Sequence, residues 1–215
     1  MAVGARRLAP LTRDTLGDLP PRCRSCVFWE LDPVAGDRAR AHGDPALEKE
    51  TWLSATLLDW GSCGRVVYVG SAVVAYAIFA PPVHVPRSVS FATSPVTADA
   101  VLLTSLYVVP AYRGTGLGRL LVQAVAKDVV RRDIQAIEAF GELRRGQEGC
   151  LIPADFLLAV GFSTARPHPR HPRLRLDLRS TVRWREDVEG ALERLLGAIT
   201  APDGALRPVW RATPD

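Results

Sequence analysis

The sequence predicts an α/β domain built around a glycine-rich turn that joins a buried strand to an amphipathic helix. The strand is Ala100–Val109, a nearly continuous apolar run, which argues for a central place in a sheet covered on both faces. The helix is Gly116–Arg132, with Leu117, Leu120, Leu121, Ala124 and Val125 at i, i+3, i+4, i+7 and i+8. One stripe therefore packs on the sheet while Arg119, Gln123 and Lys127 face elsewhere. A third segment, Arg173–Thr181, alternates Leu174, Leu176 and Leu178 with Arg175, Asp177 and Arg179. That is the pattern of a strand with one wet face, expected near a sheet edge.

The remaining elements follow in order. Arg6–Thr12 reads as a first strand and Thr12-Arg13-Asp14 as a helix start; Cys23–Leu31 reads as strand or irregular chain. Asp32–Pro45, with its prolines, glycines and charges of mixed sign, reads as a loop. Pro45 suits the first turn of a helix over Ala46–Trp60, with Leu47, Leu57 and Trp60 facing inward. Arg65–Phe79 is broken at Gly70-Ser71 into two valine- and tyrosine-rich pieces, which reads as a buried hairpin. Pro81-Pro82 closes it, and a prolyl loop runs over Pro86–Thr97. After the central helix, whose Arg131 and Arg132 suit the negative end of its dipole, come a strand over Asp133–Phe140, a charged loop over Gly141–Gly149 and a segment Pro153–Phe162. Arg183–Ile199 is amphipathic, with Val188, Leu192, Leu195, Leu196 and Ile199 on one side, a candidate for covering the core or for a homodimer contact. The division expected is one domain over residues 1–182, with a helix and tail over 183–215.

The turn itself reads Arg113-Gly114-Thr115-Gly116-Leu117-Gly118. Its glycines admit backbone conformations closed to other residues and let a ligand approach the main chain. The unpaired N–H groups and positive dipole end of the helix that follows suit a phosphate or pyrophosphate. A dinucleotide fingerprint requires G-x-G-x-x-G, whereas here Arg119 occupies the last glycine's place. A triphosphate P-loop requires Gly-Lys-Ser/Thr, which the chain lacks.

The turn resembles the R/Q-x-x-G-x-G/A acyl-CoA loop of the GNAT superfamily of N-acetyltransferases, with Pro110 and Tyr112 in that family's usual places. Pro153–Phe162 resembles the family's closing helix, down to its Gly161-Phe162 ending. The resemblance covers about residues 64–180, and the tail 167–196 is similar to actinobacterial members. It implies a GNAT-type acyl-CoA N-acyltransferase fold, with a central mixed, mostly antiparallel sheet flanked by helices. It also implies an acetyl-CoA-dependent N-acetyltransferase that passes the acetyl group directly to a primary amine, with no metal expected. Carried onto this chain, it places the pyrophosphate on Arg113, Gly114, Thr115, Gly116, Leu117, Gly118 and Arg119. The pantetheine then pairs with backbone groups of Leu106 and Val108, where their strand parts from Asp133–Phe140.

Direct transfer needs a base for the ammonium and a donor for the oxyanion. Glu138, the one acid within Ile134–Phe140, is the candidate base or amine anchor, and its bland alternative is a rim carboxylate paired to an arginine. Tyr107 projects from the facing strand. Many members of the family carry a tyrosine in the closing helix to protonate the departing thiolate, whereas this chain has Phe156-Leu157 there. Tyr107 or Asp155 then serves, or the thiolate leaves as such, since a thiol of pKa near 8.5 is a tolerable leaving group. The missing tyrosine also leaves open a non-catalytic acyl-CoA-binding protein on the same scaffold.

Length and composition set the class: 215 residues, 47% apolar, suit one domain. The N-terminal basic residues are not followed by a signal-peptide core, so a cytoplasmic location is expected. The most apolar run, Val66–Ala80, is shorter than the roughly 20 residues of a membrane span. The net charge of +4 is scattered rather than gathered with aromatics, which argues against a nucleic-acid partner. Cys23-x-x-Cys26, Cys63 and Cys150 read as free cytosolic thiols, as part of a metal site with His168 and His171, or as holding a redox-responsive pair. Phe28-Trp29-Glu30 reads as core or as a wall of an acceptor pocket. The loops that would select the acceptor, Asp32–Pro45 and Pro81–Thr97, carry no motif.

Overall fold

The apolar strand Ala100–Val108 (β4) lies mid-sheet, as its composition predicts. The structure, a computed structural model, describes residues 6–144 and 150–178. Around β4 are Arg6–Pro10 (β1), Gly64–Val69 (β2), Ala72–Ala80 (β3), Ala136–Glu142 (β5), Ile152–Pro153 (β6), Ser163–Arg166 (β7) and Arg173–Asp177 (β8). Among the described residues the order is β1-β2-β3-β4-β5-β8-β7, with β6 paired to β5. The β4–β5 and β5–β6 pairs are parallel and the others antiparallel, so the sheet is mixed and mostly antiparallel.

Each face is covered by its own helices. The long helix Leu117–Val130 (α5) buries Leu117, Leu120, Leu121 and Val125 against Val101, Leu103, Ile137 and Ala139, joined by Leu157 of the short helix Ala154–Ala159 (α6). On the opposite face, Leu16 of the single turn Arg13–Leu16 (α1) and Leu53 of Pro45–Asp59 (α4) pack on Val66, Tyr76 and Ile78. Beyond them on that face, Trp29, Phe140 and Leu102 form a third cluster. Pro21–Arg24 (α2) and Pro33–His42 (α3) complete the N-terminal region.

Several expectations change. The segment Asp32–Pro45 is not a loop: Asp32 caps α3 by accepting the N–H groups of Val34 and Ala35, and Pro33 sits in its first turn. Asp44 and Pro45 repeat the same device for α4. A carboxylate cap and a preset φ outweigh the internal Gly36. Leu47 is 60% exposed; the inward stripe of α4 runs instead through Lys49, Leu53 and Thr56. Lys49 is tolerated there because it pairs with the equally buried Glu30, as a buried charge must. β8 does stand near an edge, one strand in from it, as expected. The edge is β7, whose exposed Ser163–Arg166 carries no apolar alternation to betray it. The amphipathic stretch 183–199 lies outside the described residues.

Candidate functional site

One extra residue opens the sheet. Opposite Ile78 and Phe79 of β3 stand Ser105 and Leu103 of β4, so Thr104 has no counterpart. This is a β-bulge, which bends the strand and disrupts its ladder. The hydroxyl of Thr104 donates to the Ile78 carbonyl at 3.0 Å. The bulge explains how Leu103 and Leu106, three apart, both face α5. It also marks where β4 leaves β5: their parallel pairing runs only from Ala100↔Ala136 to Leu102↔Glu138.

Past that point β4 keeps β3 on one side and an open edge on the other. The Val109 N–H donates to the Val74 carbonyl at 2.9 Å. By the alternation of an antiparallel ladder, the N–H and C=O groups of Leu106 and Val108 turn away from β3 into the opening. The side chain of Arg113 folds back so that its Nε–H donates to the Val108 carbonyl at 3.3 Å. β6 occupies the β5 side of the gap, pairing Ile152 and Pro153 with Gly141 and Glu142.

The glycine turn stands at this end of β4. Gly114 (φ 77°) and Gly116 (φ 85°) are left-handed, and Gly116 is the N-cap of α5; other residues there would be strained. Thr115 braces the turn, its hydroxyl donating to the Tyr112 carbonyl at 2.6 Å. The first N–H groups of α5 have no partner within the helix and point to where an anion would sit. Gly118 is needed for a different reason. A Cβ there would lie 2.7 Å from the Phe156 ring, so the glycine lets α6 close onto the start of α5. Arg119 secures the same contact, donating to the Ala159 carbonyl at 2.8 Å. Leu157, where the family's tyrosine falls, is fully buried against α5.

Glu138 does not open on the gap. It is fully buried, and both carboxylate oxygens are occupied. Arg173 donates to Oε2 at 2.5 Å and the Thr97 hydroxyl to Oε1 at 2.8 Å, with the Thr97 N–H and Arg175 completing the set. The geometry makes Glu138 the counter-ion that ties β5 to β8: it is paired to arginine, as the bland alternative has it, but in the interior rather than at a rim. Tyr107 lies beside the opening, partly buried, its ring 5.8 Å from that of Tyr76.

A cavity of about 490 Å³ lies at the C-terminal end of β5. Phe28, Phe91, Glu142, Cys150, His168 and His171 are among its walls. Phe91 stacks on Phe140 with ring centroids 4.4 Å apart, and Phe140 stacks on Trp29 at 6.1 Å. The cavity therefore belongs to the face opposite α5, and the parallel run of β4 and β5 puts Glu142 at the same end of the sheet as Val108. His171 Nε2 lies 3.1 Å from Glu142 Oε2. Nδ1 of His168 accepts the N–H of His171 at 2.9 Å and of Arg170 at 3.2 Å, which leaves Nε2 as the protonated nitrogen of a neutral His168 ring. Burial raises the Glu142 carboxyl, but the Arg144 N–H, His171 and Arg170 together outweigh it and hold it below the usual carboxylate range. Glu142 is not among the acids the sequence singles out, because it sits two residues past the apolar segment Ile134–Phe140. His168 and His171 stand out in the sequence only as candidate metal ligands. Among the described residues no three His, Cys, Asp or Glu side chains gather as a metal cluster would, and no helix is long and apolar enough to cross a membrane.

Residues 27–146, more than half the chain, match the model of the Acetyltransferase (GNAT) family. No curated protein matches. Among solved structures the chain is similar to the PaiA N-acetyltransferase of Thermoplasma acidophilum in complex with coenzyme A. The TM-score is 0.54 and the identity 11%, over 80% of this chain and 98% of that one. It is also similar to YncA of Salmonella typhimurium with its cofactor acetyl-CoA, with a TM-score of 0.54 and 17% identity over 81% and 94% of the two chains. An N-acetyltransferase of Staphylococcus aureus gives 0.54 and 13% over 80% and 98%. The fold is thus shared with these structures, and by the match over residues 27–146 the chain belongs to the Acetyltransferase (GNAT) family.

Proposed function

We propose that the protein is a cytoplasmic acetyl-CoA-dependent N-acetyltransferase acting directly on a primary amine. The observation that carries this reading is the two-sided opening between β4 and β5. The donor binds on the α5 side, its pyrophosphate on the N–H groups of residues 114–119 and its pantetheine along Leu106 and Val108. The amine enters from the opposite side, through the cavity at the end of β5. Glu142 and His171 receive the ammonium proton, the imidazole as base and the carboxylate orienting it. Holding amine and thioester on the two sides of one gap supplies much of the rate by proximity. Tyr107 is the candidate acid for the departing thiolate.

Calorimetric titration with acetyl-CoA tests the donor half. Micromolar binding by the wild type and none by Gly116→Glu, with both proteins folded, is the expected result, and equal affinity would overturn it. Release of CoA thiol across a panel of primary amines tests the acceptor half. The second reading, an acyl-CoA-binding protein without turnover, is favoured by Leu157, which puts an inert side chain where the family's acid stands. It predicts binding with no amine-dependent thiol release.

A further inference from the structure

Two thiols meet beside the acceptor cavity, although the sequence sets them far apart. Cys26 follows α2, and its Sγ lies 3.1 Å from the Sγ of Cys150, 124 residues away. Cys150 lines the cavity, and its backbone is held there by Trp29, whose indole N–H donates to the Cys150 carbonyl at 3.1 Å. Cys23 lies one turn before Cys26 but is engaged by the hydroxyl of Tyr76. The fourth thiol, Cys63, is fully buried in the core under α4.

We propose that Cys26 and Cys150 are a peroxide-sensitive dithiol that closes to a disulfide across the wall of the acceptor cavity. The sulfurs need to approach by only about 1 Å to reach bonding distance. The Cys26 thiolate attacks a peroxide oxygen, forming a sulfenic acid and expelling hydroxide, which takes back from solvent the proton the thiol lost on ionising and leaves as water. The Cys150 sulfur then attacks the sulfenic sulfur, expelling hydroxide, which takes up the Cys150 proton as a second water. The two thiols supply two electrons, and hydrogen peroxide accepts them. The environment supports this order of events. The hydrogen bond from Cys150, aided by the Phe28 N–H, outweighs burial and brings the Cys26 thiol down to about 6. The same contact, together with burial, raises Cys150. Low pKa marks the attacked sulfur and the neighbouring thiol resolves it. Burial pushes Cys63 up to about 12 and raises Cys23, which leaves both as poor nucleophiles.

That the cavity beside this pair admits an amine rests on the proposed function, but the thiol chemistry does not, so the two fail separately. The test treats the intact chain with one equivalent of hydrogen peroxide and then counts alkylatable thiols after denaturation. The expected count falls from four to two. Peptide mapping then finds Cys26 joined to Cys150, and dithiothreitol restores all four. Cys63→Ser should keep the crosslink, while Cys150→Ser should lose it. A Cys23–Cys26 crosslink, an unchanged count, or independent oxidation of single cysteines to sulfinic acid would each overturn the proposal. Failure of the acetyl-CoA titration would leave it standing.

Discussion

The two sides of the opening are built in different ways. The donor side is one contiguous stretch, Val108 to Leu121, in which a strand end, a left-handed turn and a helix N-terminus follow in order. The side proposed for the acceptor is assembled from Phe28, Phe91, Glu142, Cys150 and His171, brought together from separate loops and strand ends. Backbone groups do the work on the first side, where the sequence has only to permit a shape. Side chains do it on the second, where each must arrive from elsewhere. A ligand shared by a whole family suits the first construction, and an acceptor peculiar to one member suits the second.

The contrast breaks most sharply at Gly116. A glutamate there places like charge against the pyrophosphate, so Gly116→Glu should weaken acetyl-CoA binding at least about 100-fold, equivalent to ~2.7 kcal/mol. Calorimetry reads the loss, and a single cooperative melting transition, lowered by the strain at this left-handed position, shows that the fold survives. If binding persists, the donor side does not depend on this turn. His171→Ala should do the converse, lowering kcat about 100-fold, as loss of a general base does, with acetyl-CoA affinity within twofold of wild type. Weaker acetyl-CoA binding with kcat intact would show that the two sides are not separate.

Smaller effects sharpen the comparison. Gly118→Ala drives a methyl toward the Phe156 ring. Overpacking is partly offset by better helix propensity, and a net loss of about 1 kcal/mol is expected from chemical denaturation; a stabilised variant would mean that α6 yields freely. The smallest effect is on pH dependence. Glu142 has a folded pKa below its ordinary 4.5, so its contribution is complete above that pH and is lost as the pH falls through the lower folded value. Wild-type stability should therefore decline more steeply than that of Glu142→Gln below pH 4.5. Parallel curves would show that the His171 contact contributes nothing to folding.

The same division decided what could be read in advance. β4, α5 and the turn between them announce themselves through local pattern, as do the alternating leucines of β8. Helix α3 escapes the sequence reading although Asp32-Pro33 is the same starting signal as Asp44-Pro45: Pro45 reads as a first helical turn, whereas the glycines and mixed charges that follow Pro33 hide the same device. β7 offers no pattern, because an exposed edge strand buries neither face. At the site, Glu138 drew notice as an acid inside an apolar strand, yet its isolation there reflects what β8 supplies, namely Arg173 and Arg175. Glu142 and His171 come within 3.1 Å across 29 residues, and the proximity of Cys26 and Cys150 rests on a still longer separation. Neither pair has a local signal, since each exists only once the sheet is formed.

Thr104 makes the opening depend on a single codon. A strand without it would carry the same leucines toward α5 in simple alternation, with no bulge to bend it from its parallel neighbour. An in-frame deletion there is the shortest route from an open cleft to a zipped sheet.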